Sequence, residues 1–394
     1  MNKILQEDAK YIGRDFPAEL IEYSKTQGSF VYDAKGNKYI DFLMGWNIGN
    51  VGWGVKEIRE VIKNYNGPDY VNPSSLYAPW VELAKILISI TPGKMAKVFR
   101  ATGGTEAVEI ALQAAMSYTK RTKFISIEGS YHGHSIGAMS IGMSYFRTQY
   151  SNLLPNCYKI DPPLDVRAAE KVVNLLKNRD IAAYISEPII NNLGVVIPTP
   201  EFYQIVSQAC KKTGTLFIMD EVATGFGRTG ILFASEHYNL QPDILCLGKA
   251  LTGGYAAMGA TLMTEEIAKS MQWNFSFYST FGWHPLNTNV TIANLKYLLK
   301  HQKKILNNVN KMEKFFQNKL TKIKYKMPTN IRIKGLAIGI EFEKSDYVYE
   351  VKKRCLKNGL IVSELGNKIL TFFPALTIDK QTAEDGLKIF EKSL

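Results

Sequence analysis

Two ionisable residues 29 positions apart, Asp220 and Lys249, each follow a short apolar run. Asp220 closes the run Thr-Leu-Phe-Ile-Met at 215–219, and Lys249 sits in Gly248-Lys249-Ala250 just after Ile-Leu-Cys-Leu at 244–247. Strands ending in this way deliver a buried carboxylate and a buried amine to one place. That pairing is what pyridoxal 5'-phosphate (PLP) chemistry requires. The lysine can hold the aldehyde as a Schiff base, and the aspartate can keep the pyridine nitrogen protonated so that the ring accepts carbanion electrons.

Three more segments carry groups suited to such a site. In Thr102-Gly-Gly-Thr-Glu106 two glycines precede a helix-like run from Ala107 to Ala115. Free amides at its start, with the Thr105 hydroxyl, would cradle a phosphate dianion at the positive end of the helix dipole. Ser130-Tyr-His-Gly-His134 places Tyr131 where it could stack on a flat heteroaromatic ring; the alternative is a core tyrosine. His132 and His134 lack further ligands at a metal spacing in a chain with five histidines, so no metal is expected. In Ile185-Ser-Glu-Pro188 a carboxylate again ends an apolar run, and Glu187 is either a satisfied ion-pair partner or an acid beside a cofactor. A nucleotide-binding P-loop is excluded at Gly248-Lys249, because Asp243 and Ala250 occupy the positions that need glycine and Ser or Thr.

The elements that must position these residues follow from periodicity. Residues 30–42 read as two short strands joined by a turn at Lys35-Gly36-Asn37. From about 77 to 280, short apolar runs at 123–127, 182–186, 216–219 and 244–247 alternate with helical patterns such as 202–211. Such alternation predicts a mostly parallel sheet covered by helices, with ligands beyond the carboxyl ends of the strands. After Pro285 a long helical stretch leads to strand-like sequence at 331–342, part of a smaller α+β unit.

Composition sets the outer bounds. With 394 residues, 46% hydrophobic and 21% charged, the chain can bury a large core. Its opening residues have no apolar leader core and no apolar run is long enough to span a bilayer, so a cytoplasmic protein without membrane partners is expected. Four widely spaced cysteines suit reduced structural thiols. The formal net charge of +12 is concentrated at 291–360, where 17 Lys and Arg face 5 Asp and Glu. There Lys303, Lys304, Lys311 and Lys314 interleave with Ile305, Met312 and Phe316 at helical spacing. This is the pattern of a solvated helix face, and no nucleic-acid motif accompanies it.

The stretch Asp220-Glu-Val-Ala-Thr-Gly-Phe-Gly-Arg-Thr-Gly230, followed by Pro242-Asp-Ile-Leu-Cys-Leu-Gly-Lys-Ala-Leu-Thr-Gly-Gly254, resembles the signature of the class III aminotransferases. The resemblance extends from the hairpin at Phe30 to Phe373-Pro-Ala-Leu-Thr377. It implies an α/β architecture, PLP fold type I: a mostly parallel central sheet in a large domain at 51–285, with a smaller α+β domain from segments 1–50 and 286–394. It further implies that Lys249 binds the cofactor and moves protons, that Asp220 pairs with the ring nitrogen, and that Val222 and Tyr131 cover the two ring faces. Gly104 and Thr105 match the phosphate loop. Thr280, in Ser279-Thr-Phe-Gly-Trp-His-Pro285, matches a threonine that reaches the neighbouring subunit's phosphate, which implies a homodimer with shared active sites. With His132 and Glu187 these complete the expected cofactor-binding set.

An amino donor and a carbonyl acceptor would react in turn, in a ping-pong cycle. The arginines with which many members hold a substrate carboxylate are replaced here by His134 and Thr371. Trp46 either lines an elongated or apolar substrate site or is a core tryptophan, and Arg100 is either a replacement carboxylate binder or a structural ion-pair partner. The signature is most similar to the diaminopelargonate aminotransferases of biotin synthesis. A glutamate-1-semialdehyde-type aminomutase and a decarboxylating transaminase are the other chemistries this scaffold supports.

Overall fold

Short runs of β-branched and aliphatic residues, too brief for helices, associate into a central sheet in the computed structural model, which describes residues 3–14, 21–272 and 277–394. The strands in chain order are β1 (Tyr23–Gln27), β2 (Phe30–Asp33), β3 (Lys38–Asp41), β4 (Lys97–Ala101), β5 (Lys123–Ile127), β6 (Cys157–Ile160), β7 (Ile181–Ser186) and β8 (Leu216–Asp220). They continue with β9 (Ile244–Leu247), β10 (Gly259–Met263), β11 (Thr329–Lys334), β12 (Ala337–Phe342), β13 (Leu360–Ile361), β14 (Ser363–Leu365) and β15 (Ile369–Phe372). The central sheet has the order β4-β10-β9-β8-β7-β5-β6. Pairing is parallel from β9 through β6, while β10 runs antiparallel to both β4 and β9. Every residue of β7, β8, β9 and β10 is buried, as a sheet covered by helices on both faces requires. The mostly parallel sheet expected from the sequence is thus present.

The helices that cover it start and stop on local chemistry. Thr199 caps the helix Pro200–Thr213 by accepting from Phe202 N, Pro200 opens the first turn, and Gly214 at φ 67° ends it. Helix Gly104–Thr119 buries Ala107, Val108, Ile110, Ala111, Leu112, Ala114 and Ala115. Small residues on that face let it lie close against the sheet.

Two further sheets complete the structure. One, β1-β2-β3-β13, joins the N-terminal hairpin to the C-terminal part of the chain through a parallel β13·β3 pair, Leu360 with Ile40 and Ile361 with Asp41. The hairpin turn is held by the Asp33 carboxylate, which accepts from the amides of Lys35 and Asn37 at 2.9 and 2.8 Å, with Gly36 at φ 85°. The other sheet, β11-β12-β15-β14, is antiparallel throughout. Helices Pro285–Lys300 and Gln302–Leu320 lead into it; in the second, Ile305, Val309, Met312, Phe316 and Leu320 are buried. Lys303, Lys304, Lys311 and Lys314 are exposed, as a solvated face demands. Among the described residues no helix is long and apolar enough to cross a membrane. All four cysteines are unpaired.

Arg228 fastens these parts together. Its side chain is fully buried, and Nη1 donates to Leu336 O at 3.0 Å and Pro374 O at 2.7 Å while Nη2 donates to Asn50 Oδ1 at 2.6 Å. Asn50 in turn donates to Phe226 O at 3.1 Å. Burial pulls the guanidinium down to about 9, still well above neutral pH, so the site holds a cation neutralised by carbonyl dipoles. Arg228→Met keeps the volume and strands three buried acceptors. It should destabilise the protein by about 2–4 kcal/mol, read as a lower denaturant midpoint at an unchanged slope.

Candidate active site

Asp220, the last residue of β8, is 3% exposed. One carboxylate oxygen, Oδ1, accepts from Val222 N at 3.0 Å, and the other lies 2.7 Å from His132 Nδ1. A hydrogen bond to a carboxylate puts the proton on Nδ1, so His132 donates there. Its Nε2 is buried with no partner among the described residues. The two residues are 88 positions apart and come from the loop after β5 and the end of β8, two strands separated in the sheet by β7.

Lys249 follows β9 in a short 3-10 turn, Lys249–Leu251, with φ 45°. A left-handed backbone at a lysine is uncommon and strained, which is typical where a side chain must be aimed. Burial lowers the pKa of its amine, and the nearby charges of Glu187 and Asp220 oppose that shift. The amine is therefore easier to deprotonate than an ordinary lysine.

Glu187 follows β7 and is also 3% exposed. Its Oε2 accepts from Asn191 N at 3.3 Å and Asn191 Nδ2 at 3.2 Å, whereas Oε1 is buried without a partner among the described residues. Burial first, and then the charge of Asp220, push its carboxyl up to about 7; His132, Lys249 and Asn191 act the other way. No ion pair satisfies it among the described residues. The reading of Glu187 as a satisfied ion-pair partner therefore gives way to an acid beside the Asp220 and Lys249 pair.

The glycine turn meets these residues at the start of helix Gly104–Thr119, whose first intrahelical bond is Ala107 N to Gly103 O. The amides of Gly104, Thr105 and Glu106 precede that bond and have no acceptor within the helix. A Cβ on Gly104 would lie 2.8 Å from Val222 Cγ1, and one on Gly259 would lie 2.2 Å from Gly103 O. Only glycine permits either approach. The Thr105 hydroxyl is 3.4 Å from His134 Nδ1. Gly104, Thr105, Val222, Asp220, Lys249, Glu187 and His132 are thus gathered where β5, β7, β8 and β9 end.

The remaining expected residues lie further out. Tyr131, next to His132, is 42% exposed, with its ring 6.4 Å from that of Phe146, so it is no core tyrosine. Trp46 is 46% exposed at φ 57° and donates from Nε1 to Ser363 Oγ at 2.7 Å; the core reading of this tryptophan does not hold. Arg100 makes no ion pair among the described residues. Its guanidinium stacks 3.9 Å above the Trp80 ring and donates to Pro73 O at 3.0 Å, leaving Nη1 buried and unpartnered. Thr280 is exposed, its carbonyl accepting from Tyr70 Oη at 3.1 Å, and Tyr70 meets Phe281 edge-on. Sequence reasoning missed the His132–Asp220 bond and the role of Asn191. A histidine after a strand carries no signal of which carboxylate it will meet.

Comparison with known proteins places this arrangement in context. A family model described as Aminotransferase class-III matches residues 11–394. Adenosylmethionine-8-amino-7-oxononanoate aminotransferase of Staphylococcus aureus is 30% identical, over 100% of this chain and 97% of that protein. The solved structure of the enzyme of the same name from Methanocaldococcus jannaschii is similar at 30% identity and a TM-score of 0.92, covering 99% of this chain and 98% of that one. An aminotransferase structure from Bacillus anthracis is similar at 26% identity and a TM-score of 0.91, covering 99% and 97%.

The elevated Glu187 pKa has a stability signature. Its carboxyl binds a proton more tightly folded than unfolded, so between about 4.5 and about 7 the folded state holds more protons and stability falls as pH rises. The loss across that window is of order 3 kcal/mol. Glu187→Gln should flatten that slope when unfolding is followed against pH.

Proposed function

The chain belongs to the class III aminotransferases, and from that premise we propose that it uses PLP to move an amino group from an amino donor to a keto acid or aldehyde, in a ping-pong cycle. The observation that carries this reading is the buried Asp220–His132 pair set beside the desolvated amine of Lys249. The hydrogen-bonding groups around it fit the cofactor: the first-turn amides of Gly104 and Thr105 have no acceptor within their helix, and Glu187 Oε1 and His132 Nε2 are buried without a partner among the described residues.

When bound, PLP supplies an electron sink for a carbanion formed next to nitrogen. Asp220, oriented by the Nδ1 proton of His132 and the amide of Val222, holds the proton on the ring nitrogen. Gly104 and Thr105 would hold its phosphate at the positive end of their helix. Val222, packed against Gly104, and Tyr131 would supply the side chains that cover the cofactor ring. Lys249 Nζ, made easier to deprotonate by burial, is the group to act as nucleophile and then as the base that takes the proton from the carbon next to the amino nitrogen. Glu187 Oε1, buried without a partner among the described residues, would serve as a second proton-holding group.

The active unit in this reading is a homodimer that shares its two sites through Thr280. In support, Tyr70, Tyr278 and Phe281 around that segment are exposed large side chains. A narrower substrate assignment, adenosylmethionine as donor and 8-amino-7-oxononanoate as acceptor, is favoured by the two relatives of that name at 30% identity.

A panel of amino donors tests the assignment. Glutamate, alanine, lysine, ornithine, S-adenosylmethionine and ω-amino acids are each added to the PLP-loaded protein while the visible absorption of the cofactor and carbon dioxide release are followed. One or more donors should bleach the band without releasing carbon dioxide. Lys249→Ala should lower turnover by at least about 10²- to 10⁴-fold, the contribution of a well-placed acid–base group. Turnover that survives Lys249→Ala, or carbon dioxide release matched to bleaching, overturns the assignment.

A further inference from the structure

The turn that holds Glu187 is itself held by the C-terminal sheet. Residues 190–196 form a small closed loop: Ile190 and Val196 exchange backbone hydrogen bonds at 2.9 and 3.1 Å, and Gly194 N donates to Asn191 O at 2.9 Å. The near end of this loop, Asn191, bonds Glu187 Oε2. Its flank reaches the segment bearing Tyr131 and His132, where Asn192 Nδ2 donates to Gly129 O at 3.0 Å and a Cβ on Gly129 would lie 2.5 Å from Leu193 Cδ2. The far end meets β11, where Arg332 Nε donates to Gly194 O at 2.7 Å and Nη2 to Leu193 O at 3.3 Å. The third nitrogen of Arg332, Nη1, donates to Glu341 Oε2 at 2.6 Å, which fixes the guanidinium on its own sheet.

Backbone packing tightens the same contact. A Cβ on Gly339 of β12 would lie 2.1 Å from Gly194 O, and one on Gly194 would lie 2.6 Å from Ile369 Cγ2 of β15. Gly194 also sits at φ 68°, a conformation that other residues adopt only with strain. The loop is therefore seated on three strands of the small sheet at one end and on a cofactor-side carboxylate at the other.

We infer that Arg332 is a positioning residue for Glu187: by holding the carbonyls of Leu193 and Gly194 it fixes the turn from which Asn191 carries Glu187 Oε2, so that docking of the C-terminal sheet sets the placement of a carboxyl in the active site. This rests on the PLP reading only for the meaning of that carboxyl, since the linkage lies within the chain. The groups facing Glu187 are Asp220 from β8, His132 from the loop after β5, Lys249 from the turn after β9, Asn191, and Tyr203, whose hydroxyl donates to Glu187 O at 2.7 Å. Releasing the turn removes the Asn191 bond, which favours the ionised form, and leaves only the charges of His132 and Lys249 to oppose burial and the Asp220 charge. Glu187 then becomes harder to ionise. The amine of Lys249 loses an anion that supports its charged form.

The experiment reads Glu187 directly, by infrared difference spectroscopy of the full-length protein against pH, with the carboxyl band assigned by its loss in Glu187→Gln. The wild-type band should titrate near about 7. In Arg332→Met and in Asn191→Ala the midpoint should rise by roughly one pH unit, the effect of losing hydrogen bonds to a carboxylate. Arg332→Lys should fall between them and wild type, and Arg332→Met combined with Asn191→Ala should move no further than either alone. If the Arg332→Met protein does not fold, Arg332→Lys and Asn191→Ala still decide. A midpoint that stays at the wild-type value in the folded Arg332 variants, or that moves additively in the double variant, overturns the inference. A protein that binds no PLP while these midpoints move as stated would overturn the proposed function and leave the linkage standing.

Discussion

Removing a carboxylate from water costs several kcal/mol unless hydrogen bonds and opposite charge replace the lost hydration. Asp220 meets this condition with a backbone amide on one oxygen and an imidazole N–H on the other. Glu187, close enough to feel the Asp220 charge, meets it only in half and resists ionisation as a result. Lys249 stands between the two tendencies, discouraged from carrying charge by burial and encouraged by both carboxylates. The charges of Glu187 and Lys249 are linked through this grouping, and the surrounding structure can be read as the means of keeping the three residues together.

That task falls mainly on backbone. Glycines at 104 and 259 let the start of a helix and the start of β10 approach their neighbours within contacts that a methyl group would forbid, and Gly248 at the end of β9 packs almost as tightly. A parallel sheet brings the carboxyl ends of β5, β7 and β8 to one edge, and the left-handed turn at Lys249 aims the amine across it. Arg228 works at a distance from this edge, where its three carbonyl and amide acceptors bind N-terminal, central and C-terminal segments into one frame.

The sequence made the central strands and the Asp220–Lys249 pair legible for one reason: a short apolar run that ends in a lone ionisable residue is the mark of a buried strand whose last residue is put to use. Strand β1, Tyr-Ser-Lys-Thr-Gln, carries no such pattern, because it is a polar edge strand whose pairing with β2 owes more to the hairpin than to its own side chains. Contacts between distant segments were equally silent. Nothing in Ser130-Tyr-His-Gly-His134 points to Asp220, and nothing in Arg332 points to Gly194. Trp46, Tyr131 and Arg100 were each open to two readings because burial depends on neighbours that sequence does not name. The aromatics proved half-exposed, and Arg100 settled onto an indole ring instead of a carboxylate.

The two-residue parallel pair between β3 and β13 joins positions 320 apart along the chain, Ile40 with Leu360. Contacts of such long sequence separation form only after the intervening polypeptide has been made and collapsed, since the entropy of closing so large a loop must be met before the ladder returns anything. During synthesis the outer edge of β3 therefore waits, unpaired, for nearly the whole molecule to emerge. An open edge of this kind invites pairing with the wrong strand. The shortness of the exposed hairpin, and the lysines at 35 and 38 that stud it, limit that hazard until the native partner arrives.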